Sequence, residues 1–279
     1  MSLFISGTVP LYLSAQEEQI PEWIKRIDFG VDVGTDQKPY VYLETVQPLY
    51  QNKEKSRILF VQPRIMTHNG KSIYNLGMGY RKLLFNESLL GGINIFYDYQ
   101  DEYSHSRWGL GLEALGEKLE ARANTYFGIS GRRTVKETST HYTYEKAVDG
   151  LDFEIGGPLP YFPSIKVYGS GFYYNYEKFK DKEGWKLRTE LTLNQNSKIN
   201  LIIWDDNKGD TEFRTDAYFS IKFDTLSDFF TPFKTSSQTY PRRDLRKHML
   251  SRVERNYQIE VEKWTESKVG GVIVEIKRG

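Results

Sequence analysis

A chain of 279 residues with 38 Lys and Arg against 37 Asp and Glu has a net charge of +1, so no basic field advertises nucleic acid as a partner. It contains no cysteine, which removes disulfide scaffolds, thiolate metal sites and cysteine catalysis. Hydrophobic content is 39%, yet 15% of residues are aromatic, led by 20 Tyr and 16 Phe; with no apolar run of ~18 residues, this suits a β protein with an interfacial aromatic population rather than a helical membrane protein.

Residues 1–25 read as a lead-in. Leu3 begins a short apolar run that ends before Ser14-Ala15-Gln16, a small-residue cleavage pattern, but no positively charged segment precedes it. A signal remnant and an unstructured start are both open. From residue 26 to 224 hydrophobicity alternates at period two, which means β-strand, because successive side chains point to opposite faces. The expected strands cover residues 26–34, 39–50 and 56–67, the last two weakened by Pro48 and Pro63. Four more fill residues 72–131, and five follow at 148–157, 164–176, 185–194, 198–205 and 211–223. The twelve strands are joined alternately by short turns and by longer loops rich in Asp, Lys, Gly and Tyr, the pattern of an outer-membrane barrel.

One face carries charge in mid-strand. It comprises Asn75, Arg81, Asn94, Asp98, Arg107, Glu113, Glu120, Arg122, Glu154, Arg188, Glu190, Arg214 and Asp216. The other presents Leu76, Ile95, Leu112 and Ala123. A soluble sandwich would alternate in the same way. Three features favour a membrane: segments near the ~9–11 residues needed to cross a bilayer, aromatics such as Tyr74, Tyr80, Tyr97, Trp108 and Phe127 toward segment ends, and more strands than a sandwich uses. In hydrocarbon such a sheet has to close. The polar face then lines a lumen too wide for side chains alone to fill. Gly77, Gly79, Gly92, Gly109 and Gly111 lie on that face. They either relieve curvature or make room for something passing through.

Asn75–Arg81 (NLGMGYR), Ile93–Gln100 (INIFYDYQ), Ser106–Ala114 (SRWGLGLEA) and Ala123–Gly131 (ANTYFGISG) resemble the intimin/invasin translocation domain, the inverse autotransporter β-barrel. Ile58–Ile65, Asp149–Pro163 and the tail Arg252–Glu262 extend the resemblance over nearly the whole chain. It implies a closed antiparallel twelve-stranded transmembrane barrel with a periplasmic N-terminus. It further implies that residues 225–279 re-enter the lumen, partly as a short helix, and exit at the cell surface. Residues 242–255 (RRDLRKHMLSRVER) are the candidate lumen helix. Arg242, Arg243, Arg246, Arg252, Glu254 and Arg255 are its candidate contact residues, and its cations are expected to pair with Glu113, Glu120, Glu154 and Glu190. The resemblance also implies outer-membrane lipid, barrel-assembly machinery and periplasmic chaperones as partners. A host receptor is expected only if a passenger follows Gly279, because VGGVIVEIKRG makes one strand at most.

Enzymatic readings are weak. Outer-membrane phospholipase is also a twelve-stranded barrel, but it needs Ser, His and Asn adjacent on the outer wall. None of His68, His105, His141 or His248 lies beside a Ser on a lipid-facing strand. Asp205, Asp206, Asn207, Gly209 and Asp210 suggest a calcium loop with incomplete acidic spacing, so a solvated loop is the better reading. No cofactor or metal is expected. The sequence reading is a non-enzymatic translocator that anchors and exports its own C-terminal segment, with a small plugged pore as the alternative. Tyr142 and Tyr144 in the longest loop are the expected surface contacts.

Overall fold

The alternation becomes one continuous antiparallel wall in the computed structural model, which describes residues 23, 26–35, 37–68, 71–194, 197–220, 235–270 and 273–276. The expectations for the lead-in, for residues 221–224 of the last strand and for the first part of the linker lie outside the described residues. In chain order the strands are β1 Ile27–Gly34, β2 Gln37–Thr45, β3 Gln47–Gln51, β4 Arg57–His68, β5 Lys71–Leu84, β6 Leu89–Gln100, β7 His105–Gly116 and β8 Glu120–Gly128. They continue as β9 Arg133–Glu137, β10 His141–Ala147, β11 Asp149–Leu159, β12 Phe162–Asn175, β13 Lys182–Thr192, β14 Ser197–Asp206, β15 Glu212–Ser220, β16 Val261–Ser267 and β17 Ile273–Glu275.

Sequential neighbours pair throughout the wall, β8 passing directly to β11, and β1 closes the sheet on β15 from Asp28 opposite Ser220 to Gly34 opposite Arg214. The strand expected over residues 39–50 is two segments, β2 and β3, both paired with β4 and separated at Val46. Pro48 lacks a ladder donor, and the register shifts between Pro48 and Tyr50. Counting β2 and β3 as one, the thirteen-segment sheet is a closed twelve-stranded barrel. Closure leaves no edge, as a sheet surrounded by hydrocarbon requires.

The two faces separate cleanly. Leu76, Ile95 and Leu112 are 56%, 44% and 61% exposed, whereas Arg81, Asp98 and Arg107 are fully buried inside. Outward charge is costly at the bilayer centre, ~2–4 kcal/mol for Arg or Lys, which explains why the mid-strand charges all take the inner face.

Residues 132–146, expected as a long loop, instead carry β9 and β10. These join β16 and β17 in a second sheet of order β17-β16-β10-β9 on the long-loop rim. The period-two pattern of β10 had its partner far downstream: Thr143 and Thr265 are 122 residues apart, yet their hydroxyls lie 3.1 Å apart.

Candidate functional site

The lumen holds the chain's own C-terminal segment, and contacts from rim to rim define its course. At the short-turn rim, Ser236 N donates to Tyr161 O and Tyr161 N to Thr239 O, both at 2.9 Å. Arg243 then donates to Gly116 O at 3.1 Å and pairs with Glu120 at 2.8 Å. Arg246 pairs with Glu87 on the β5–β6 turn. Midway, Arg252 meets Asp216 at 3.1 Å and the Tyr42 hydroxyl at 3.0 Å. Further on, Arg255 grips both oxygens of Asp98 at 2.8 and 3.1 Å, with its guanidinium 4.3 Å above the Phe96 ring. Asp98 also accepts from Arg107 and Asn75, each at 2.8 Å. Charge-assisted, bidentate pairs of this kind are among the stronger polar contacts.

Apolar side chains hold the same segment from one side. Leu245, Met249, Val253 and Tyr257, spaced by four, are buried against Tyr42, Ile58, Phe60, Met66, Ile73, Leu83, Leu90, Phe96 and Leu115 of β2 and β4–β7. Burying each such side chain is worth roughly 1.5–3 kcal/mol. This stripe is in the sequence, but attention to charge alone passes over it.

The helix expected over residues 242–255 is reduced to one 3-10 turn, Leu245–His248, whose N-cap Asp244 accepts from Arg246 N at 3.1 Å. Wall side chains take backbone groups of the segment instead. Arg81 donates to Met249 O at 3.0 Å and also to Ser251 O. Arg107 donates to Asn256 O at 2.7 Å, and Asn124 to Glu254 O at 3.3 Å. Val253 N donates to Gln62 Oε1 at 3.0 Å. With its backbone satisfied by the wall, the segment has no need of an internal ladder.

Of the four carboxylates expected to receive the linker, Glu120 alone does so among the described residues. Glu113 is held by Arg81, Glu154 by Arg188 and Arg122, and Glu190 by Lys198 at 3.2 Å and Lys166 at 3.6 Å. The linker's other strong partners, Asp98 and Asp216, belong to the expected polar face. So do Asn75, Arg81, Arg107 and Asn94, which line the lumen, and Arg214, which binds Asp32 at 2.6 Å. Arg242 is 87% exposed and only 3.8 Å from Glu117, and Glu254 binds Arg252 at 2.9 Å.

The glycines make room chiefly for wall side chains. A Cβ at Gly77 would lie 2.2 Å from the Phe96 ring, and one at Gly79 would lie 2.3 Å from Phe60. Gly92 faces Glu113, and Gly111 faces Asn94 and Asn124. Only Gly109 receives the linker directly, its missing Cβ position 2.5 Å from Arg255 Nη2. The returning chain thus packs on aromatics that the glycines allow to lie flat.

Across the lumen, a cavity of about 690 Å³ lies between the linker and β12–β15, bridged by Arg252 to Asp216, by Asn256 to the Tyr174 hydroxyl at 2.7 Å and by Glu260 to Lys182 at 2.9 Å. Here Arg188 binds Glu154 and Asn200 binds Asp216 at 3.1 Å.

At the long-loop rim the segment is clasped. The fully buried carboxylate of Glu262 accepts the backbone N–H groups of Glu177, Lys178 and Phe179 at 3.0, 2.8 and 3.0 Å. Seven residues of β16 then pair with β10, from Ala147 opposite Val261 to His141 opposite Ser267. Tyr142 and Tyr144 are spent on this junction: their rings stack at 5.9 Å, and Tyr144 meets Trp264 at 5.7 Å. Burial opposes ionisation of Glu145, but the His105 ring at 3.4 Å and Lys263 at 2.8 Å outweigh it and hold its carboxyl below the ordinary range. His105 also touches Ser130 Oγ at 3.1 Å, and both residues are buried, so the trio ties β7 to β10.

The acidic loop after β14 is spent on its own backbone. Asp206 accepts Lys208 N at 2.7 Å, and Asn207 bonds to Asp181 O at 2.8 Å and Glu183 N at 3.2 Å. Among the described residues no cluster of three or more His, Cys, Asp or Glu could hold a metal ion.

The family model described as "Inverse autotransporter, beta-domain" matches residues 8–257. An attaching and effacing protein homolog of Escherichia coli K12 is 28% identical over 167 residues, covering 58% of this chain and 54% of that protein. Invasin of Yersinia enterocolitica is 27% identical over 175 residues, covering 59% of this chain and 20% of its own length. The inverse autotransporter adhesin YeeJ of Escherichia coli K12 is 27% identical over 140 residues, half of this chain and 6% of its own. The chain thus spans about half the length of the first of these relatives and far less of the others. A solved structure from work on in-meso crystallization of membrane proteins superposes with a TM-score of 0.68 at 18% identity, covering 85% of this chain and 99% of that one; at that identity the likeness concerns the fold.

Proposed function

The chain belongs to the inverse autotransporter β-domain family of bacterial outer-membrane barrels, and we propose that it anchors and exports its own C-terminal segment to the cell surface. The course of residues 242–260 through the lumen carries this reading, because the segment enters among the short turns and becomes β16 among the long loops. In outer-membrane barrels short turns face the periplasm and long loops face outward. The lumen then acts as a guide with fixed stations, and the β10 edge receives the emerging chain as a strand. Family membership favours adhesion-related translocation over catalysis. Assembly by the barrel machinery and periplasmic chaperones goes with the proposal, as does receptor binding by any passenger.

The absence of cysteine makes single-cysteine labelling unambiguous. Val269→Cys, in the β16–β17 turn, is expected to react on intact cells with a membrane-impermeant maleimide. Lys53→Cys, in the β3–β4 turn, is expected to react only after the outer membrane is opened. Protection of position 269 on intact cells rejects export.

The cavity beside the linker favours a second reading, a small pore with a plug. Under it, deleting residues 242–260 yields steady conductance in planar bilayers while leaving position 269 unlabelled in the undeleted protein.

A further inference from the structure

We infer that the outer wall carries a site for one anionic glycerophospholipid in the leaflet on the short-turn side. A single register row carries the site. Arg57 of β4 lies opposite Lys82 of β5, Lys82 opposite Gly91 of β6, Gly91 opposite Ala114 of β7, and Ala114 opposite Ala121 of β8. Their neighbours Ile58, Arg81, Leu83, Leu90 and Leu115 are buried inside the barrel. Alternation therefore turns the whole row toward the lipid.

Two like charges directly opposite one another on a sheet repel. Among the described residues, neither the Arg57 guanidinium nor the Lys82 ammonium has a hydrogen bond or ion pair. The carboxylates on the adjacent turns are committed elsewhere, Glu54 to Asn52 at 2.8 Å and Glu87 to Arg246. The pair stands at the first residue of β4, beside the rim, where a phosphodiester of the leaflet lies within reach. One anion between the two cations removes their repulsion and supplies charge-assisted hydrogen bonds to both.

The rest of the row is a place for an acyl chain. An apolar groove of about 560 Å³ begins at Lys82 and crosses Gly91, Ala114 and Ala121. Four strands in register span ~14 Å at ~4.8 Å per strand. Bulkier side chains bank it: Tyr80, Ile93 and Leu112 form the adjacent row on one side, and Leu84 stands on the other. Headgroup cations at one end and an apolar groove at the other match one amphiphile with a phosphate and an alkyl chain. A second copy of the barrel would bring the same two cations into opposition.

The test uses the whole purified barrel, delipidated in detergent and titrated by native mass spectrometry with phosphatidylglycerol, phosphatidylethanolamine or inorganic phosphate. One phosphatidylglycerol is expected to bind in preference to both other probes. Arg57→Gln and Lys82→Gln are each expected to weaken it ~5-fold, the worth of one basic residue near an anionic surface. Ala114→Trp fills the groove, leaves both charges in place and is expected to abolish the adduct. Folding is checked by heat-modifiable gel mobility, and if Ala114→Trp does not assemble, the two charge variants decide. Equal affinity for phosphatidylethanolamine, an unchanged adduct in the charge variants, or inorganic phosphate binding as tightly as the lipid would each overturn the inference.

Discussion

The two sides of the lumen treat the threaded segment differently. The β2 and β4–β7 side offers Tyr42, Ile58, Phe60, Met66 and Phe96, and the segment lays Leu245, Met249, Val253 and Tyr257 on them. The β12–β15 side pairs charges such as Glu190 with Lys198 and Lys166 within itself, meets the segment through polar contacts, Asp216 to Arg252 and Lys182 to Glu260, and leaves a cavity. A wall that combines apolar area with cations such as Arg81, which reach out for backbone carbonyls, holds the segment in one register. The apolar packing of the segment therefore lies on one side of the lumen, and the open space lies on the other.

Asp98→Ala is expected to have the largest effect. It strips the partner from both Arg107 and Arg255 at buried positions, and breaking a buried pair costs ~3–5 kcal/mol. Denaturant unfolding of the detergent-solubilised barrel reads this, with linker release detected by protease. Met249→Ala should come next, at ~2–5 kcal/mol, seen as increased openings in single-channel recordings. On the cavity side, substitution of the half-buried Lys186 by Gln should stay within ~0.5 kcal/mol, and an equal cost on the two sides would break the contrast.

The clasp at the long-loop rim should depend on pH. The Glu145 carboxyl is held below its ordinary value of 4.5. Its contribution is therefore complete above that value and is lost as pH falls through the lower, folded one. Protease nicking of the β10–β16 junction should rise below pH 4.5, and Glu145→Gln should flatten that dependence by removing the titrating group facing Lys263 and His105. Arg242→Ala should be the smallest effect, under ~0.5 kcal/mol for an exposed ion pair, with linker protection unchanged.

The barrel was legible because lipid outside and polar lumen inside write themselves as period two: Leu76 against Asn75, Ile95 against Asn94. The linker was legible only in part. Its arginines announced ion pairs, but the choice between Glu113 and Asp98 depends on which wall cations are already engaged, and no local pattern records that. A spacing of four from Leu245 to Tyr257 suits a helix equally well; what opposes one is the wall's hold on Met249 O and Ser251 O by Arg81 and on Val253 N by Gln62. The β10 strand is not legible in the sequence because its partner β16 lies beyond the last barrel strand, and a strand without an evident neighbour reads as loop.

The central claim is that the segment leaves the lumen at the cell surface and continues as a strand of the outer sheet. Thr143→Cys with Thr265→Cys tests it most directly, because these residues face each other in the β10–β16 register. The pair should form a disulfide in intact cells that a membrane-impermeant reductant cleaves. Absence of the crosslink, or a crosslink that the reductant cannot reach until the outer membrane is opened, would contradict the claim.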